Sequence, residues 1–289
     1  MVDLLKAAAA GGYAVPAVTV WNAESMKAVL AAASDLRSPM ILMNGPAEFN
    51  LLSPAEMGDV ARAVALRYDV PAALHLDHGD SLELVRQCLD AGYTSVMVDY
   101  SSRPHEENAA ALRQAVEMAR PHGASVEGEI GHVGRADIPS AEAEGDSTLT
   151  QVAEAVAYVA ATGVDALAVS IGNAHGLYTR LPRLDLQRLG EIRSAVGVPL
   201  VLHGGSGTPE ADLKRAISLG IAKVNVATEI VTVLRESLLE QWQVQRTSWL
   251  PVVMAGAMKT MPPLVQKWIR ATGSAGRACR WNSTSFPAA

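Results

Sequence analysis

The sequence predicts an α/β fold, a single (β/α)8 TIM barrel, on three observations. Short apolar runs rich in β-branched residues alternate with longer segments whose apolar residues recur every three or four positions. The alternation closes at eight units between residues 13 and 242, about 29 residues each, which is the size of one such barrel. No Gly-x-Gly-x-x-Gly turn follows the first strand, which disfavours the runner-up architecture, a doubly wound open sheet.

The first strand is expected at Tyr13–Val20 and its helix at Ala23–Leu36. The second unit pairs strand Pro39–Met43 with helix Pro54–Tyr68, opened by Ser53-Pro54, a capping residue followed by proline at the first helical position. Strand Ala72–Asp77 precedes helix Leu82–Ala91, which Gly92 stops. Next come Ser95–Tyr100 with Glu106–Arg120, then Ser125–Gly131 with Gln151–Ala161 and its stop at Gly163, then Ala166–Gly172 with Leu186–Ala195. Strand Pro199–Gly204 leads through Thr208-Pro209, again cap and proline, into Glu210–Leu219 and Gly220. The last unit is Ile221–Thr228 with Glu229–Trp242. One domain is expected over 1–289: barrel units 13–242, a C-terminal helical extension 243–276 with a helix around Leu264–Ile269, and a poorly defined tail 277–289. The connection Gly131–Thr150 is long and reads as a mobile loop at the C-terminal end of the fifth strand.

Composition narrows the function. With 49% hydrophobic and 19% charged residues the chain can bury a large core, and a net charge of −6 excludes a basic nucleic-acid surface. Its two cysteines, Cys88 and Cys279, are too few for a disulfide framework or a thiolate zinc site, so a cytoplasmic setting is expected. No run reaches the length of a membrane span. The uncharged stretch Ala7–Val18 follows Lys6, but Asp3 precedes it and Gly11-Gly12 breaks it, against a signal peptide.

A barrel of this kind carries its chemistry at the C-terminal ends of its strands, and polar residues concentrate there. They are His75-Leu76-Asp77-His78, Asp99, Glu127 and Glu129, Asn173-Ala174-His175-Gly176, His203-Gly204-Gly205-Ser206, and Asn225 with Thr228. One strand-end histidine is more often a hydrogen-bonded structural residue than a ligand. His78, His175 and His203 at matching heights on three strands instead form a three-nitrogen metal site with one open position, as catalytic Zn²⁺ requires. His75 is expected to point into the wall or pair with a neighbour, and His105, His122 and His132 to be solvated, with His132 in the long loop. The glycine-rich turn His203–Pro209 and the turn Asn225–Thr228 expose backbone N–H groups near helix N-termini, the habitual phosphate site of the barrel. A metal beside a phosphate pocket, with Asp77 adjacent, suggests carbonyl polarisation with proton transfer, which is reversible aldol chemistry. Asp77 could alternatively orient an imidazole.

Six motifs in order, from about Tyr13 to Gly276, resemble the class II, zinc-dependent ketose-bisphosphate aldolases. They are His75-Leu76-Asp77-His78, Ser95-Val96-Met97-Val98-Asp99, Ser125-Val126-Glu127-Gly128-Glu129-Ile130-Gly131, Asn173-Ala174-His175-Gly176-Leu177-Tyr178, Leu202-His203-Gly204-Gly205-Ser206-Gly207 and Lys223-Val224-Asn225-Val226-Ala227-Thr228-Glu229. With Ala227 where the glycolytic branch carries aspartate, the chain is closer to the tagatose-bisphosphate and ketose-1-phosphate branch. The resemblance implies His78, His175 and His203 as zinc ligands, and Asp77 as the acid/base for the hydroxyl formed from the aldehyde. Glu129 and Asp99 match positions that hold a second or displaced metal. Gly176, Gly204, Gly205 and Ser206, with Asn225, Val226, Ala227 and Thr228, match residues that grip a phosphorylated sugar as dihydroxyacetone phosphate. It also implies a monovalent cation, Na⁺ or K⁺, near that phosphate, and a homodimer or homotetramer.

Three departures bear on the substrate. Thr19 stands where the family usually has asparagine, Gly45 where many members have Ser or Thr, and the loop after Gly134 lacks the acidic pattern whose glutamate takes the dihydroxyacetone phosphate proton. Asp137, Glu142 and Glu144 are the available replacements, and a non-phosphorylated acceptor aldehyde, sugar-like or uronate-like, becomes an alternative. Rival functions are a Schiff-base aldolase using Lys223, a zinc hydrolase with Asp77 as its base, and a non-catalytic aldolase-like partner subunit.

Overall fold

The structure, a computed structural model, describes residues 1–134, 149–176, 178, 181–246 and 249–280, without the side chains of 279 and 280. Eight parallel strands form one ring: β1 (Val15–Thr19), β2 (Met40–Asn44), β3 (Ala72–Gly79), β4 (Ser95–Val98), β5 (Ser125–Ile130), β6 (Ala166–Val169), β7 (Leu200–Leu202) and β8 (Ile221–Val226). They pair in chain order and β8 closes on β1, so the expected barrel is the observed one and the open sheet is excluded. The strands are buried on both faces, which is why they read as continuous apolar runs. Val18, Leu42, Leu74, Leu167 and Val224 face the helices. Ala17, Ile41, Met43, Ala73, Ala168 and Val201 face the barrel interior.

The helices are α1 (Val2–Gly11), α2 (Ala23–Asp35), α3 (Pro54–Ala65), α4 (Leu82–Asp90), α5 (His105–Ala119), α6 (Val152–Thr162), α7 (Leu186–Ala195), α8 (Glu210–Ser218), α9 (Thr228–Gln245), α10 (Leu250–Ala257) and α11 (Met261–Ala271). Ser53 and Glu56 form the capping box expected at α3, and Gly163 closes α6 in the left-handed conformation. At Thr208-Pro209 the expectation was one residue early: Pro209 itself is the N-cap of α8. The eighth strand stops at Val226, and Thr228, expected at its end, is the first residue of α9.

Two helices were not anticipated. The alanine run before Gly12 forms α1, whose Leu4, Leu5 and Ala8 pack beneath the interior residues Val15, Ala17 and Ile41. The Val2 N–H donates to Ser125 Oγ at 2.9 Å, so α1 seals the end of the barrel remote from the strand C-termini. Helix α10 lies in the C-terminal extension ahead of the expected α11. The start of the expected tail is ordered as a turn at Arg277–Arg280, tied to the barrel by Ala278 N–H donating to Arg37 O at 2.9 Å. Among the described residues, no helix is long and apolar enough to cross a membrane.

Candidate active site

A bulge in β3, between Leu76 and Gly79, builds the first part of the site. Strand alternation points His75 and Asp77 inward and would send His78 outward. His78 instead adopts φ 47°, a left-handed conformation that costs a non-glycine residue energy and clusters at functional sites. His78 thereby joins His175, after β6, and His203, after β7. The three rings pack edge to face with centroids 4.7, 4.8 and 5.6 Å apart.

Their nitrogens fit a metal. His78 Nε2, His175 Nε2 and His203 Nδ1 are buried without a hydrogen-bond partner, and one ligand atom from each ring lies within 4.8 Å of the others. Buried polar atoms are ordinarily satisfied, so three orphans converging on one point indicate a missing ligand. Two of the opposite nitrogens are committed: Asp99 Oδ2 accepts from His78 Nδ1 at 2.5 Å, and Glu127 Oε1 accepts from His203 Nε2 at 2.8 Å. When a ring gives up its second proton to a metal, the carboxylate behind it holds the tautomer that leaves the facing nitrogen a lone pair. Asp99 therefore stands behind His78 and outside the ligand cluster. Glu129 Oε2, 3.2 Å from His203 Nδ1 and otherwise unpartnered, sits at its edge.

The field of these carboxylates is one that favours a cation. Burial opposes charge on His203, but Glu127 and Glu129 outweigh it and push the imidazole up to about 10. Burial likewise opposes charge on His78, and Asp77 with Asp99 raises it. His175 has no such support; burial and the neighbouring His78 and His203 lower it to about 4. Partial burial opposes charge on Asp77 too, yet His78, Lys223, His203 and His75 hold it down at about 2, ionised. Asn225 Nδ2 donates to Asp77 Oδ1 at 2.9 Å and aims the carboxylate.

Beneath the histidines lies a charged layer with no solvent exposure. Lys223 Nζ donates to both oxygens of Glu127 at 3.0 and 2.8 Å, while His75 Nδ1 pairs with Ser95 Oγ at 2.8 Å, its other nitrogen 3.8 Å from Asp77 and Glu127. His75 thus faces the interior and does pair with a neighbour. A Schiff-base lysine is desolvated and unpaired; Lys223 is ion-paired. Removing one partner of such a pair strands the other, so Lys223→Met is expected to destabilise the metal-free protein by about 3–5 kcal/mol. Denaturant melts should show it, with the double variant Lys223→Met, Glu127→Gln recovering part of the loss.

The turns after β6 and β7, expected to hold a phosphate, are clamped together. Gly204 has φ 62°, and a Cβ there would lie 1.9 Å from Ala174 O. Tyr178 Oη accepts from Ala174 N–H at 2.8 Å and donates to Gly204 O at 3.1 Å, while Asn173 Nδ2 donates to His203 O at 3.1 Å. These two side chains lock the loop that carries His175 to the loop that carries His203. Gly176 follows His175 with φ 87°. Of the expected phosphate amides, Gly205 N–H is already used, donating to Asn225 O at 3.0 Å, and Ser206 Oγ accepts from Glu229 N–H at 3.1 Å. Val226, Ala227 and Thr228 bring the start of α9 to the same turns, and Glu229 is turned away to Lys267 and Trp268. Gly204→Ala is expected to yield little soluble protein, measured as folded chain recovered against wild type, because backbone on both sides must move.

His132 is half-buried and is held by a hydrogen bond as well as partly solvated: Ser101 Oγ donates to Asp99 Oδ1 at 2.7 Å and accepts from His132 Nδ1 at 3.1 Å, extending the chain behind His78. His105 and His122 are exposed as expected. Asp137, Glu142 and Glu144 lie outside the described residues. Sequence reasoning saw Glu127, Lys223, Asn173 and Tyr178 without their tasks, because each task depends on a partner distant in the chain.

The class-II fructose-bisphosphate aldolase family matches residues 1–277. Among solved structures, the YdjI aldolase from Escherichia coli K12 is 33% identical, with 96% of this chain and 98% of that one covered at a TM-score of 0.84. A candidate fructose-1,6-biphosphate aldolase from Coccidioides immitis is 30% identical over 96% and 98% of the two chains, with a TM-score of 0.86. The fructose-bisphosphate aldolase of Campylobacter jejuni, 22% identical over 94% of each chain with a TM-score of 0.81, shares the fold. The chain therefore belongs to the class-II fructose-bisphosphate aldolase family and is an aldolase, a carbon–carbon lyase.

Proposed function

We propose that the enzyme catalyses zinc-dependent, reversible cleavage of a ketose 1-phosphate or 1,6-bisphosphate of the fructose or tagatose type to dihydroxyacetone phosphate and an aldehyde. The observation that carries this reading is the set of unpartnered nitrogens on His78, His175 and His203 beside an ionised Asp77. Three imidazoles with room for substrate oxygen suit Zn²⁺. When bound, the ion would polarise the substrate's carbonyl and hydroxyl oxygens and acidify the adjacent carbon. The turns after β6, β7 and β8, with the N-terminus of α9, orient the phosphate. Asp77, held by Asn225, takes the proton of the hydroxyl that becomes the aldehyde oxygen and returns it in condensation. Glu129 and Asp99 would serve a second or displaced metal position, and a Na⁺ or K⁺ ion beside the phosphate belongs to the same proposal.

Zinc content, inactivation by a chelator, recovery on zinc addition and resistance to borohydride test the metal. Deuterium exchange into dihydroxyacetone phosphate without acceptor tests carbon acidification, which a hydrolase does not perform. A metal-free active enzyme, or no exchange, would sink the reading. We also propose a cytoplasmic homodimer or homotetramer; exposed Leu239, Trp242, Val244, Leu250 and Val252 on and around α9 and α10 support association of copies.

A further inference from the structure

We infer that Glu48 sets the charge of the acceptor, admitting an uncharged polyol aldehyde and disfavouring one that carries phosphate or carboxylate. The inference rests on the proposed reaction, since it concerns the partner of dihydroxyacetone phosphate. In a ring of eight strands β3 lies across from β7. The phosphate turns follow β6, β7 and β8, while Asp77, the group that meets the aldehyde oxygen, stands on β3. A substrate running from the phosphate turns past the histidines to Asp77 therefore sends its aldehyde end toward the β1–β3 arc of the mouth.

The connections of that arc carry negative charge only. The connections after β1, β2 and β3, residues 20–22, 45–53 and 80–81, contain Glu48 and Asp80 and no lysine or arginine. Arg103, in the next connection, lies over the Tyr100 ring at 3.7 Å. Glu48 is half-buried, and its Oε2 accepts from Gly45 N–H at 2.7 Å. A Cβ on Gly45 would lie 3.4 Å from that oxygen and 3.0 Å from the backbone oxygen of Asp77, so the bare backbone of Gly45 lets the turn that carries Glu48 pack against the end of β3 that carries Asp77. Burial, with the Asp77 charge behind it, raises the Glu48 carboxyl. Two carboxylates, Asp77 and Glu48, serve this end, and a phosphate dianion would be repelled by both. A sugar hydroxyl can donate to Glu48 at no such cost, so the residue acts by exclusion as well as by attraction.

The test compares condensation of dihydroxyacetone phosphate with glyceraldehyde and with glyceraldehyde 3-phosphate. The wild-type kcat/KM is expected to favour glyceraldehyde. Glu48→Gln keeps the shape and an acceptor oxygen for Gly45 N–H, and should cut the preference about tenfold, while Glu48→Lys should cut it further. The ratio is taken within each variant, so loss of zinc or of folded protein cancels. A wild type that uses glyceraldehyde 3-phosphate at least as well, or a ratio untouched in Glu48→Gln, overturns the inference. Deuterium exchange by the wild type separates the two levels. No exchange sinks the proposed reaction, whereas exchange with an unchanged ratio sinks only the role of Glu48.

Discussion

His203→Ala is expected to abolish zinc binding and turnover together. The substitution removes one of three converging nitrogens and also leaves the Glu127 Oε1, now without its imidazole partner, in a fully buried layer. Loss of the carboxylate behind a metal-binding histidine typically costs about 10–100-fold in affinity, and loss of the histidine itself should exceed that. Glu127→Gln provides the graded comparison: its amide can still accept from His203 Nε2, so metal affinity should fall within that range and activity should return at high zinc. Competition with a chromogenic chelator measures both affinities. Zinc bound by His203→Ala with wild-type affinity would refute the ligand assignment, and equal losses in both variants would refute the division between ligand and support.

The fold was legible because its strands are buried twice over. Parallel strands between core and helices show unbroken apolar runs, and the glycines after them mark helix ends, so the eight units can be counted without knowing how they pair. Helix α1 escaped because it is short and alanine-rich, with only Asp3 and Lys6 to mark its exposed side, too few to betray a period. It is visible only once the barrel floor needs Leu4 and Leu5 to cover it. The bulge at His78 escaped for another reason: a left-handed non-glycine residue leaves no compositional mark.

The site was legible to the depth of residues that must be of one type. Three histidines and an aspartate at strand ends announce themselves by identity and position. What holds them does not. Asp99 behind His78, Glu127 between His203 and Lys223, and Tyr178 between two loops are ordinary residues whose significance is a distance across the barrel, and no periodicity encodes that. Asp99 shows the limit best: its sequence position offers a carboxylate for a second metal, and only the structure shows its Oδ2 accepting from His78 Nδ1.

Asp77→Asn is expected to lower cleavage and condensation by about 10²–10⁴-fold, the usual contribution of a positioned acid/base. The amide has nearly the shape of the carboxylate and can still accept from Asn225 Nδ2, but it cannot take a proton, and the surrounding imidazoles and Lys223 that keep Asp77 ionised no longer have a charge to stabilise. Zinc content should stay close to wild type, because Asp77 is not among the three converging ligands. The two halves of the reaction should then separate. Exchange of deuterium into dihydroxyacetone phosphate requires removal of a proton from carbon and no proton at the aldehyde oxygen, so it should fall far less than condensation does. If exchange and condensation fall by the same factor while zinc stays bound, Asp77 acts on the carbon proton or on the geometry of His78, and the acid/base role at the aldehyde oxygen is wrong. If both persist, Asp77 only orients its neighbours, and another group in the β1–β3 arc must carry the proton.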